Sequence, residues 1–242
     1  MRIISVVPSL TEILFDFGLD HQHIVGRTKF CIHPKDKIQF VPIIGGTKNL
    51  DIEKIIHLKP DLILANKEEN QKDQILHLQK HCKVITTNIG NLEDNYYLLK
   101  TIGELLDKRS IAQQFNLKIQ EQFNFQKPNQ TLKVAYLIWK SPYMTVGGDT
   151  FINDVLKELN LENIFKDQKR YPMVELQDLE KADVILLSSE PFPFKEKHIL
   201  EIQDVFPNKK ILLVDGEAFS WYGTRIAKIG NYYQNLLQSI LL

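Results

Sequence analysis

No stretch of the 242-residue chain approaches the roughly 20 consecutive apolar residues that a membrane-spanning helix requires. The N-terminal segment MRIISVVPSLTEILFDFGLD offers only the short run between Arg2 and Pro8, and Glu12 and Asp16 interrupt the apolar residues beyond Pro8. That excludes a secretory signal peptide within it, so the sequence as given reads as soluble and unexported. A chain whose leader had been trimmed would read as periplasmic and look the same. Charge bias is also missing: Lys+Arg and Asp+Glu each number 30. No global field draws the protein to nucleic acid or anionic lipid. Cysteine is scarce, with only Cys31 and Cys82, which rules out a disulfide framework and leaves room for one bridge at most.

What is present is an ordinary globular composition, 43% hydrophobic and 25% charged. The length suits one large domain or two smaller ones, each with its own core. Ile3 to Val7 reads as a buried strand, followed by a helix to about Phe17 opened by a Ser9–Glu12 capping box. Val25-Gly26 lies in a second strand, and RTKFCIHP is the loop beyond it. Asp51 caps a helix through Ile52, Ile55 and Ile56, and Leu62 to Ala65 is a continuous apolar strand of the kind buried on both faces. A further helix to about Lys80 and a strand at Val84 to Thr87 complete an alternating pattern that argues for a parallel sheet covered by helices.

Leu92 to Phe125 carries helical periodicity without proline, broken at Asp107 to Ser110. Two consecutive helices are expected, the second over about Ser110 to Gln126 and spanning roughly 25 Å. After Lys127-Pro128 the strand–helix pattern restarts, with strands at Val134 to Trp139, Val184 to Leu187 and Ile211 to Val214. A helix is expected over Thr150 to Leu159 and a last one over about Thr224 to Leu241. One echo links the halves: Glu53 with Asp61-Leu-Ile-Leu and Glu175 with Asp183-Val-Ile-Leu share one spacing. Any α/β chain repeats helix then strand, so coincidence stays open. The expected organisation is an N-terminal lobe over 1–107, a connecting helix over 108–127 and a C-terminal lobe over 128–242.

The stretches VVPSLTEILFDFG, IGGTKNLDIEKIIHLKPDLILANKEEN, TVGGDTFINDVLKELNLENIF and ILLSSEPFPF together resemble the helical-backbone substrate-binding proteins of ABC importers, over nearly the whole chain. LENIFKDQKRYPMVEL is similar to the cobalamin-binding branch in particular. The resemblance implies an α/β fold of two Rossmann-like lobes with parallel sheets, joined by a single long α-helix, with a ligand cleft between the lobes and little hinge motion. It implies receptors for cobalamin, haem or iron–siderophores that perform no catalysis, carry no intrinsic cofactor and act as monomers. It also implies docking of one glutamate per lobe onto an importer permease. Glu53 matches the first. For the second, alignment on V-x-L gives Gln177 and alignment on the Asp183 spacing gives Glu175; the segment is two residues shorter than usual.

Ligand candidates sit in loops after strands, where open α/β sheets hold ligands. In RTKFCIHP, Arg27 and Lys29 suit ligand carboxylates or phosphate and Phe30 offers a flat apolar face, or the loop is merely solvated with Phe30 tucked in. Cys31 and His33 read as a buried thiol and a structural imidazole. The alternatives are axial ligation of a cobalt or haem iron by His33, or a Cys–His nucleophile pair. No metal-site spacing is present. Lys48, after Gly45-Gly46, could hold an anion, and Lys67 stands among carboxylates that bind ligand or cap a helix. Trp139, Tyr143, Trp221 and Tyr222 suit stacking on a planar macrocycle or core packing, with Arg225 close by. The expected function is binding of a metal chelate for an ABC importer; a cytosolic binder without a transporter is the alternative, and a small-molecule enzyme built on Cys31 and His33 a third.

Overall fold

The computed structural model describes residues 1–242, which divide into two compact units. The first comprises residues 1–89, 94–117 and 223–225, the second residues 90–93, 118–222 and 226–242.

In the first unit the strands are β1 (Ile3–Ser5), β2 (Ile24–Arg27), β3 (Leu62–Asn66) and β4 (Lys83–Thr87), in the order β2-β1-β3-β4 and all parallel. β1 and β3 are buried along their whole length, as continuous apolar runs should be in a doubly covered parallel sheet. The helices are α1 (Pro8–Asp16), α2 (Lys35–Ile38), α3 (Ile52–His57) and α4 (Lys72–Leu78), followed by α5 (Leu92–Leu105) and α6 (Arg109–Gln122). Asp51 caps α3 as its sequence predicts, its carboxylate accepting from the Lys54 N–H at 3.1 Å. α1 departs from expectation. It starts at Pro8, whose fixed φ suits the first helical position, after Val7 without a side-chain cap. Ser9 is therefore inside the helix and forms no capping box with Glu12. α6 begins in the first unit, ends in the second at Gln122, and is shorter than its periodicity suggests.

The second unit contains β5 (Leu132–Trp139), β6 (Tyr143–Thr145), α7 (Phe151–Glu158), β7 (Leu161–Asn163) and β8 (Met173–Val174). β9 (Val184–Ser188), α8 (Glu196–Gln203), β10 (Lys210–Val214), α9 (Gly216–Ser220) and α10 (Tyr232–Leu241) come next, with 3₁₀ turns at Leu176–Lys181 and Ile226–Lys228. The sheet order is β10-β9-β5-β6-β8, with β7 beside β5. The strand–helix pattern predicts a purely parallel sheet here, but β6 and β8 run antiparallel, so the sheet is mixed. The single terminal helix is also corrected: Gly230, at φ +61°, separates the 3₁₀ turn from α10. Both cysteines are free, and no helix is long and apolar enough to cross a membrane.

The sequence echo has a physical basis. Asp61 sits one residue before β3, accepts the Arg2 N–H on its carboxylate at 2.6 Å and donates its own N–H to the Arg2 carbonyl at 2.8 Å. Asp183 sits one residue before β9 and does the same with Lys133, at 2.8 and 2.7 Å. In both sheets the aspartate sets where a parallel neighbour begins.

Candidate functional site

The carboxyl ends of the strands carry most of the candidate residues. In the first unit Arg27 closes β2. Its guanidinium is spent on its own loop, donating to the carbonyls of Val41, Thr28 and Cys31, each at 3.3 Å. Lys29 and Phe30 project from that loop, with the ammonium 5.1 Å from the ring centre and Phe30 50% exposed. His33 is half-buried. Cys31 is buried; the Thr11 hydroxyl donates to its sulfur at 3.0 Å, and the Thr28 hydroxyl lies 3.2 Å away. Burial pushes the thiol pKa up, opposite to what a thiolate nucleophile needs. Cys31 is a packed thiol rather than one poised for attack. No group of three or more His, Cys, Asp or Glu side chains is arranged to hold a metal ion.

Lys48 donates to the main-chain carbonyl of Glu68, joining two strand-end loops, while Lys67 is exposed. Between them lies a network the sequence hid. Asn66 donates to the Thr87 hydroxyl at 3.2 Å, and its side-chain carbonyl accepts the Glu68 N–H at 2.8 Å. Asn70 accepts the Asn66 N–H at 2.8 Å and donates to the carbonyls of Val6 and Thr47 at 3.2 and 3.0 Å. NKEEN carries its signal in its flanking asparagines, residues that favour such side-chain-to-backbone turns, rather than in its carboxylates.

Arg225 is committed elsewhere. Its Nε donates to Glu12 at 3.0 Å, with the two side chains 17% and 4% exposed. Thr224 donates to Asp16, and Gly223 exchanges hydrogen bonds with the Asn95 side chain. Gly223 has φ +85°, and a Cβ there would come within 2.7 Å of Ile13. The residues 223–225 thus form a strap on α1 and α5, with Arg225 in an ion pair to Glu12.

In the second unit, Trp139 ends β5 with 39% of its surface exposed, its ring edge-on to Phe192 at 5.8 Å. Phe192 in turn stands edge-on to Phe194 at 4.8 Å and against His198 at 5.3 Å. Tyr143 is half-buried, which raises its phenol pKa. Trp221 and Tyr222 are nearly covered, the latter edge-on to Phe151 at 6.2 Å. Tyr222 belongs to the packing of this unit rather than to an open stacking surface. Trp221 donates its indole N–H to Glu190 at 3.0 Å, and Ser220 donates to the same oxygen at 2.5 Å. Burial, then the nearby Glu217 and Asp215, push the Glu190 pKa up, against the lowering effect of its two donors. In the sequence Glu190 is hidden at the head of a segment that reads only as rigid and aromatic.

Glu53 is exposed in the first turn of α3, and Glu175 is exposed at the head of the 3₁₀ turn before β9, donating its N–H to Asp178 at 2.9 Å. Each precedes its clamp aspartate by the same number of residues.

Known proteins share this sequence pattern and this architecture. A family model described as periplasmic binding protein matches residues 3–201. An uncharacterised ABC transporter substrate-binding lipoprotein of Bacillus subtilis is 32% identical over 181 residues, covering 69% of this chain and 56% of its own length. A vitamin B12-binding protein of Vibrio cholerae is 26% identical over 196 residues, covering 78% of this chain and 70% of its own. Among solved structures, a periplasmic heme-binding protein in complex with two hemes superposes with a TM-score of 0.86 at 20% identity, over 100% of this chain and 99% of its own.

Proposed function

The chain belongs to the periplasmic binding protein family, and from that premise we propose that it binds a metal chelate, a corrinoid, haem or iron–siderophore, without chemistry of its own. The observation that carries the ligand class is the exposed indole of Trp139, held edge-on by Phe192 at the carboxyl end of β5. A rigid aromatic surface of this kind suits the flat periphery of a macrocycle, since stacking removes a large apolar area from water. Lys29 and Lys67 are exposed cations at strand ends of the first unit, fit to meet acidic ligand groups. Arg27 and Lys48 act at one remove, by fixing the loops, and Tyr143 supports the aromatic face.

Quenching titrations with cyanocobalamin, haemin and a ferric hydroxamate siderophore test the reading. One of the three should bind, and Trp139→Ala should weaken that binding by about 1–3 kcal/mol while the circular dichroism is unchanged. Failure of all three removes the ligand class.

The partner in this reading is an importer permease, met through Glu53 and Glu175 on the outer side of a membrane. The repeated aspartate clamp favours Glu175 over Gln177 as the counterpart of Glu53, because the two glutamates stand at the same distance from equivalent strand starts. Docking through carboxylates should weaken steeply with salt. Glu53→Ala and Glu175→Ala should each lower uptake and leave ligand affinity intact. Equal capture of a permease by the double variant would sink the docking arrangement.

A further inference from the structure

The Glu190 carboxylate occupies a made-to-measure seat. Gly216, the first residue of α9, faces it so closely that a Cβ there would fall 2.4 Å from Glu190 Cγ and 2.5 Å from Ser188 Oγ. The Ser188 hydroxyl donates to the Glu190 carbonyl at 2.6 Å, and the Gly216 N–H donates to the Ser189 hydroxyl at 2.9 Å, so the backbone on both sides of the seat is fixed. One carboxylate oxygen collects two donors, the Ser220 hydroxyl and the Trp221 indole. No packing requirement calls for a carboxylate here, where burial disfavours its charge. An apolar side chain of similar size would fill the space without that cost. What a carboxylate adds is a strong, directional acceptor for an indole N–H.

We propose that Glu190 is a positioning residue, its carboxylate seated on Gly216 and holding the indole of Trp221 in one orientation at the strand-end face for a ligand. The ligand half of this assignment rests on the chelate-binding reading; the indole half stands without it. The groups facing the carboxylate from the surrounding elements are Asp215 and Glu217 at the start of α9 and the Tyr136 phenol from β5, with the Tyr232 phenol behind Asp215. All are acids and none supplies a compensating cation, so the carboxyl takes up its proton above the ordinary carboxylate range. Protonation replaces charge-assisted hydrogen bonds with weaker neutral ones and loosens the indole.

The chain has two tryptophans, so Trp139→Phe leaves Trp221 as its single indole reporter. Acrylamide quenching without ligand, followed from about pH 8 to about pH 4, should rise severalfold through a transition above the ordinary carboxyl range. Glu190→Gln in that background offers only a neutral acceptor and loses the titration, and should show the raised quenching of the acid-form parent at every pH. Glu190→Leu should be quenched strongly at every pH, with folding checked by circular dichroism. Should the Leu variant not fold, the Gln comparison decides alone. A Gln variant that titrates like the parent, a parent without a transition, or a folded Leu variant as shielded as the parent would overturn the assignment. With both tryptophans present and cyanocobalamin and haemin as probes, Glu190→Leu should bind about tenfold more weakly than the parent, and Glu190→Gln should fall between the two. A folded Leu variant with a loosened indole and unchanged affinity overturns the ligand half. If neither probe binds the unsubstituted chain, the chelate class is what fails, and the quenching series still decides whether Glu190 holds Trp221.

Discussion

Both units carry a parallel pair of strands started by an aspartate clamp, Asp61 on Arg2 and Asp183 on Lys133, yet their strand ends are finished in different chemistry. In the first unit Arg27 and Thr28 spend their hydrogen bonds within their own loop, Asn66 and Asn70 tie neighbouring loops together, and the projecting groups are Lys29, Phe30 and Lys67. In the second, Trp139, Phe192 and Phe194 form an aromatic cluster, and Trp221 is tethered by a buried acid. The shared clamp is a scaffold property that survives changes of sheet, four parallel strands in one case and a six-stranded mixed sheet in the other. The finish is where specificity can vary without disturbing that scaffold.

Breaking the first unit should cost most at its strap. Glu12→Ala leaves the Arg225 guanidinium buried without its carboxylate, and about 3–5 kcal/mol of stability should be lost from that unit. Urea unfolding followed by far-ultraviolet circular dichroism measures this. Both tryptophans lie in the second unit, so fluorescence should show a smaller change there. A loss under about 1 kcal/mol would mean that the pair is solvated and the strap incidental.

The second unit should respond to Gly216→Ala, because the new Cβ cannot fit beside Glu190 and Ser188 without displacing them. Overpacking of this kind costs about 1–3 kcal/mol, and here the fluorescence transition should move more than the dichroism. Coincident shifts of the two probes would show that the units unfold together and blunt the contrast.

The clamps themselves sharpen the likeness. Asp61→Ala and Asp183→Ala each remove a charge-assisted hydrogen bond to a strand-starting N–H, and each should cost about 1 kcal/mol. A large effect at one position and none at the other, read from urea midpoints, would reduce the repeat to a coincidence of spacing.

Much of the scaffold is legible in the sequence because it rests on local rules. Apolar runs mark β1, β3, β9 and β10, Asp51 is the cap its spacing promises, and Thr150 accepts the Asn153 N–H at the head of α7. The misses are places where a distant partner overrides a local signal. Ser9 and Glu12 have capping-box spacing, but Pro8 starts the helix earlier and Glu12 is claimed by Arg225, far along the chain. β6, β7 and β8 have two or three residues each, too few to show alternation. The terminal helix fails at Gly230, whose left-handed φ no periodicity reveals.

The same division runs through the candidate site. Positions after strands are readable from topology, which places Lys29, Phe30, Lys67 and Trp139 at strand ends. Which side chains stay available is not readable, because that depends on competition among neighbours. Arg27 and Lys48 go to main-chain carbonyls, Arg225 to Glu12, and Tyr222 to Phe151. Glu190 escapes notice because its role depends on Ser220, Trp221 and the space left by Gly216, none of them adjacent in sequence.

The claim on which the rest depends is that this chain carries a metal chelate. Its most direct test is the visible absorption spectrum of the full-length protein isolated from the cells that make it, recorded before and after addition of cyanocobalamin, haemin and a ferric siderophore. Chelate binding requires corrin, porphyrin or ferric charge-transfer bands that co-elute with the protein on gel filtration at near one chelate per chain, and loss of much of that absorbance in Trp139→Ala. Protein that elutes colourless and leaves all three added chelates in the small-molecule fraction would contradict it.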